Sequence, residues 1–161
     1  MERLRLLRPV DGMKNVVVFA ALIFAQQLQA PVDEALRALG QAVWAFVCFS
    51  LAASAVYILN DLVDRQTDRL HPQRRQRPLA AGRVKVSTAV AIACVSGTLA
   101  LIGGGLLNVA LAVILATYIV QMVLYSVALK RVMILDCILI AIGFVLRAVA
   151  GAVAIDVSIS P

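Results

Sequence analysis

Histidine is almost missing from this chain. His71 is the single one among 161 residues. One imidazole cannot build a zinc site, and its place before Pro72 points first to a turn. Cysteine is scarce as well: Cys48, Cys94 and Cys137 each lie inside an apolar run, with no C-x-x-C spacing. That excludes a thiolate metal motif and a disulfide framework, and leaves small core or lipid-facing residues. No G-x-S-x-G, Walker loop or dinucleotide fingerprint occurs. The triplet Gly103–Gly105 has no Lys-Ser/Thr behind it, so it reads as a turn with Asn108 and not as a phosphate loop. Charge is thin too. Charged residues make up 15% of the chain and hydrophobic ones 62%, whereas a soluble domain is nearer about half apolar. The excess sits in long blocks, which points to an integral membrane protein: an all-α, polytopic bundle of transmembrane helices. The formal charge of +6 does not signal nucleic-acid binding, because the basic residues flank apolar runs, as membrane topology requires.

Five apolar segments are expected to cross the bilayer. The first, Val16–Ala30, is short and weakened by Gln26, Gln27 and Gln29; a signal peptide is its competing reading. A linker with Pro31, Asp33, Glu34 and Arg37 leads to the second span, Gln41–Leu59. The others are Val86 to about Gly103, Val109–Ala128 and Met133–Ile155. Segments 1–15, 61–85 and 129–132 hold thirteen of the fifteen Lys and Arg residues. With five spans these segments share one side, so the N-terminus and the charged loop are expected in the cytoplasm, in a plasma-membrane protein. Small residues, among them Ala52, Ala53, Ala55, Gly143 and Gly151, suit close helix contact where lipid supplies no hydrophobic drive.

The one long polar stretch is Asn60–Gly82, NDLVDRQTDRLHPQRRQRPLAAG. If the preceding helix runs on through it, Asn60, Asp61, Asp64 and Asp68 fall at about 0°, 100°, 40° and 80° around its axis. They would share one face. Asp64 and Asp68 then form a like-charge i,i+4 pair, which is unfavourable on its own and worse in the lower dielectric of a membrane surface. A bound cation relieves the conflict. Oxygen-only ligands select a hard ion, Mg²⁺ first, which completes its shell with substrate phosphate. Arg65, Arg69, Arg74, Arg75, Arg77 and Arg83 follow, and arginine suits phosphate. The plainer alternative is a solvated loop of mixed charge, with Asp61–Arg65 as a helical salt bridge.

NDLVDRQTD resembles the first aspartate motif of the UbiA superfamily of membrane transferases. Its extension DRLHPQRRQRPLAAG is most similar to the branch of decaprenyl-phosphate phosphoribosyltransferases, and the likeness runs from KNVVVFA to GFVLRAVAGAVA. The resemblance implies a Mg²⁺-dependent enzyme that moves a phosphoribosyl group from phosphoribosyl pyrophosphate to a polyprenyl phosphate, for cell-wall arabinose precursors. Asp61 and Asp64 would be catalytic, and Asn60, Asp61, Asp64 and Asp68 would hold the metal. His71, Arg74 and Arg77 would contact substrate. YSVALK resembles the family's tyrosine-and-lysine motif, which gives Tyr125 and Lys130 a place beside the diphosphate; an interfacial anchor is their ordinary use. Lys14 would reach a phosphate, although Asp11-Gly12 stands where the family often has Gln-Trp.

Other branches of the superfamily join a prenyl diphosphate to an aromatic acceptor, and the aspartate motif alone does not separate the two reactions. A third reading is non-catalytic. Family members continue into a second helical half, so residues 1–161 are expected to be a single UbiA-like domain cut short at its C-terminus. Such a chain would be a fragment or one part of a split enzyme, weak alone, with a complementary C-terminal half as partner. Within the fifth span, Asp136 and Arg147 share a face but stand about 16 Å apart along the axis. A central arginine in a membrane needs a partner or water.

Overall fold

The computed structural model describes residues 11–26, 29–128 and 133–157. A 3-10 segment, Asp11–Phe19, runs into a short helix α1, Ala20–Phe24. Then come α2 (Val32–Val63), α3 (Arg65–Leu70), a 3-10 turn at Arg74–Gln76, α4 (Val86–Leu107), α5 (Val109–Val127) and α6 (Met133–Ala154). No strand occurs among the described residues. Four helices are long and apolar enough to cross a membrane, and Met13–Phe24 adds a shorter apolar helix. That agrees with about five spans. The first apolar stretch stops at Phe24, short of the expected Ala30, because Gln26 turns the chain with φ 54°. Its 3-10 part partly makes up the length. At about 2.0 Å per residue there and about 1.5 Å in the α-helix, residues 11–24 cover about 25 Å, most of a hydrocarbon core of about 30 Å.

Helix α2 is the axis of the bundle. It packs against α4, α5, α6 and the N-terminal segment. It is also longer than its apolar run suggests. The expected linker forms its first turns, capped by Pro31 at φ −48°, ψ 145°, with Asp33 and Glu34 beside the positive end of the helix dipole. Its 32 residues span about 48 Å, so the helix projects beyond the hydrocarbon and carries the first polar motif residues on rigid backbone. Ala45, Ala52, Ala53, Ala55 and Val56 on α2 are buried, and Phe49 meets Leu111, Leu115 and Tyr118 of α5 in the main core. The alanines bring neighbouring backbones close, as expected of membrane helices.

The Gly103–Gly105 triplet is not a turn. It lies inside α4, which ends at Asn108, whose side chain accepts from the Ala110 amide at 2.9 Å to cap α5. The glycines serve packing: a Cβ at Gly103 would lie 2.9 Å from Cys48 Sγ, and one at Gly104 2.7 Å from Leu115 Cδ1. The bare backbone also lets Trp44 Nε1 donate to the Gly103 carbonyl at 2.8 Å. Gly151 is tighter still, since a Cβ there would overlap the Val18 carbonyl oxygen of the N-terminal segment. Cys48 is buried, whereas Cys94 and Cys137 are exposed on the bundle surface.

Candidate functional site

The polar stretch folds back onto the end of α2. Helix α2 stops at Asp64, whose backbone takes φ −84°, ψ 0°, and α3 restarts at Arg65. The continuous helix expected through Asp68 is thus broken. The loop after α3 is docked by an apolar plug: Leu79 and Val84 bury against Ile58, Ala89 and Ala93. Arg65 Nε donates to the Leu79 carbonyl at 3.3 Å, and Arg69 Nε to that of Ala80 at 3.1 Å. Two of the arginines therefore fasten the loop. Arg83 also donates to the Gln76 carbonyl.

This docking brings Arg77 over the acidic face. Its Nη1 donates to Asp68 Oδ2 at 2.7 Å and to Asp61 Oδ1 at 3.2 Å. The carboxylates are almost fully buried, with side chains 4% and 2% exposed for Asp61 and Asp68, against 25% for Arg77. Two carboxylates thus share one guanidinium, and Asp68 Oδ1 is buried with no hydrogen-bond partner. An unsatisfied buried carboxylate oxygen is costly, and a hard cation is the partner that its chemistry suits. The residues therefore fit Mg²⁺. Asn60 and Asp64 lie half-buried on the same turn of α2. Among the described residues no three His, Cys, Asp or Glu side chains already converge at metal-holding distance.

His71 and Arg74 occupy the exposed turn after α3. His71 Nδ1 accepts from the amides of Gln73 and Arg74 at 3.3 and 3.4 Å. With Nδ1 as acceptor, the neutral ring carries its proton on Nε2. The turn role thus holds, and it leaves a donor facing outward.

A second constellation opens one helical turn along α2. A cavity of about 300 Å³ is lined by Lys14, Tyr57, Met122, Tyr125, Gly143 and Arg147, among others. Tyr57 precedes Asp61 by four residues, about 6 Å along the helix. Lys14 and Tyr125 thus share a cavity, while Lys130, like the Asp136 side chain, lies outside the described residues. Arg147 is 5% exposed. Its Nε donates to Asn15 Oδ1 at 2.8 Å, Nη1 to the Gly143 carbonyl at 2.7 Å and Nη2 to Tyr118 Oη at 3.0 Å. Asn15 in turn donates to Ser50 Oγ at 3.0 Å. The guanidinium also lies 5.1 Å from the Phe49 ring centre and 5.0 Å from that of Tyr118, where ring faces attract cations. No carboxylate among the described residues pairs with it. The ion is solvated by dipoles and rings, so its charge stays available to an anion. Three of its five donors are used, leaving one N–H on each terminal nitrogen.

Tyr57 and Tyr118 were not legible as site residues. Their signal was spacing: Tyr57 is i−4 from Asp61, and Tyr118 is i−7 from Tyr125, each on its partner's face. A further groove of about 520 Å³ between α5 and α6 is lined by Val113, Val120, Leu124 and Leu139, with Gln121. Gln121 Nε2 donates to the Leu139 carbonyl at 2.7 Å.

Comparison with known proteins gives this geometry a family. A decaprenyl-phosphate phosphoribosyltransferase from Mycobacterium tuberculosis is 37% identical over 154 residues, covering 96% of this chain and 51% of that protein. One from Mycolicibacterium smegmatis is 38% identical over 157 residues, covering 98% of this chain and 49% of that protein. The chain thus spans about half the length of the curated relatives it matches. A UbiA homolog from Archaeoglobus fulgidus, solved with GPP and Mg²⁺, shares the fold with a TM-score of 0.80 at 23% identity, covering 99% of this chain and 56% of that one. Residues 16–161 match the UbiA prenyltransferase family, and to that family the chain belongs.

Proposed function

We propose that the chain carries the donor-activating site of a Mg²⁺-dependent membrane transferase, which moves a phosphoribosyl group from phosphoribosyl pyrophosphate to a polyprenyl phosphate. The observation that carries this reading is a pairing of opposites around the end of α2. Asp61, which shares Arg77 with Asp68 and its unsatisfied oxygen, lies one turn of α2 from Tyr57, and Tyr57 lines a cavity with Lys14 and with Arg147, which no carboxylate among the described residues pairs. The first calls for a cation and the second for an anion, and a metal-bound diphosphate supplies both. The names of the mycobacterial relatives support the choice of donor and acceptor.

Asp61 and Asp68, with Asn60 and Asp64 beside them, would hold the ion. When bound, Mg²⁺ neutralises charge on the departing pyrophosphate. Lys14, Arg147 and the hydroxyls of Tyr57 and Tyr125 hold phosphate oxygens and orient the donor. Arg77 and Arg74 add donors from the loop. As the C1–O bond to pyrophosphate breaks, these fixed donors stabilise the leaving charge, and the acceptor phosphate attacks the cation-like C1 from the opposite side. The apolar α5–α6 groove is the surface that this reading gives to the isoprenoid tail. The charged loop would face the cytoplasm of the plasma membrane, where a soluble sugar phosphate is supplied.

A second reading, transfer of a prenyl diphosphate to an aromatic acceptor, takes its support from the archaeal homolog, which was solved with GPP and Mg²⁺. Pyrophosphate release assayed across a Mg²⁺ titration separates the two. With phosphoribosyl pyrophosphate and a polyprenyl phosphate, release is expected to fall at least about a hundredfold in Asp61→Asn and Asp64→Asn. Release only from a prenyl diphosphate would favour the second reading, and unchanged turnover in both variants would remove these aspartates from the mechanism.

A further inference from the structure

We propose that Arg77 and a divalent cation compete for the same two carboxylates, so that metal entry frees the Arg77 guanidinium for the polyphosphate that arrives with the metal. The inference rests on the metal-dependent reading above. Arg77 Nη1 lies 3.2 Å from Asp61 Oδ1 and 2.7 Å from Asp68 Oδ2. Mg²⁺ binds carboxylate oxygen at about 2.0–2.1 Å. An ion on Asp68 Oδ2 would thus stand no more than about 5 Å from Nη1, among the same buried atoms. Two cations so close in a site this dry repel each other strongly.

The charge balance says which one yields. Arg77 brings a single positive charge to Asp61 and Asp68, and Asp68 Oδ1 remains buried without a partner. The guanidinium therefore satisfies Asp68 only in part, whereas a divalent ion brings twice the charge to the same carboxylates. The loop is also built so that the side chain can leave alone. The Arg77 amide donates to the Arg74 carbonyl, and the Arg77 carbonyl accepts from the Ala81 amide, each at 2.9 Å. Arg65 and Arg69 hold the Leu79 and Ala80 carbonyls, and Leu79 is fully buried. The backbone around Arg77 is thus pinned from both sides, while its side chain is the most exposed of the three. Once displaced, the planar fork suits bidentate contact with phosphate.

Mn²⁺ serves as the probe, its free form read by electron paramagnetic resonance with the full chain in detergent micelles. Without any phosphate compound, Arg77→Gln should bind Mn²⁺ on the order of tenfold more tightly than the unmodified chain. With Mn²⁺ saturating, the same variant should bind inorganic pyrophosphate on the order of tenfold more weakly. Arg77→Gln that binds Mn²⁺ equally or less tightly would overturn the exchange and make Arg77 a permanent strut. Asp68→Asn should abolish Mn²⁺ binding, alone or with Arg77→Gln. If Asp68→Asn binds Mn²⁺ normally, the underlying metal reading fails, which is a different result from failure of the exchange alone. Because Arg77→Gln takes the guanidinium away from two buried carboxylates, its fold is checked by thermal unfolding. The rise in midpoint on adding Mn²⁺ should be larger for Arg77→Gln than for the unmodified chain, and an equal or smaller rise would count against the exchange.

Discussion

Arg147 shows what a single residue reveals and conceals. A charged side chain inside an apolar run is expensive, so its need for partners is legible from sequence. The partners are not, because Asn15 and Tyr118 stand 132 and 29 residues away. Removing the guanidinium by Arg147→Met should strand Asn15 Oδ1 and the Tyr118 hydroxyl, costing about 1–3 kcal/mol. Denaturation in detergent measures that cost, and weaker pyrophosphate binding should accompany it. Glycine supplies a paired contrast. A methyl at Gly151 would overlap the Val18 carbonyl, whereas one at Gly40 meets nothing within 4 Å. Gly151→Ala should therefore destabilise by about 1–3 kcal/mol or more through overpacking, while Gly40→Ala should stabilise by up to about 1 kcal/mol through helix propensity. Unfolding midpoints of the two variants should move in opposite directions.

At the scale of elements, hydropathy located the long helices but misjudged several ends. Asp33, Glu34 and Arg37 read as a linker because they are charged, yet they complete the first turns of α2. Charge is compatible with helix wherever the helix leaves the hydrocarbon. Gly103–Gly105 read as a turn because glycine punctuates chains, yet in α4 the missing side chains admit Cys48 and Leu115. The aspartate motif was legible as a shared face, and Asp61 and Asp68 do converge. They do so through a broken helix and a folded-back loop, and spacing along one helix cannot encode that return. Leu79 makes the return possible. Leu79→Ala removes its plug and should cost about 2–5 kcal/mol. Faster hydrogen exchange across residues 77–83, with α5 and α6 unchanged, would identify the loss as local undocking.

For the whole molecule, composition settled the helical membrane architecture, and charge distribution suggested its orientation. A polar loop can sit on a membrane protein for solubility alone. Here it is clamped by two of its arginines, plugged by Leu79 and turned so that a third arginine covers two buried carboxylates. That arrangement sets the buried carboxylate of Asp61 one helical turn from Tyr57, which lines the cavity of Lys14 and Arg147. Isothermal titration of phosphoribosyl pyrophosphate into the full chain, with and without Mg²⁺, tests that claim most directly. Binding should require Mg²⁺ and should weaken at least about tenfold in Asp61→Asn and in Asp68→Asn. Equal binding without the metal, or in both variants, would contradict it.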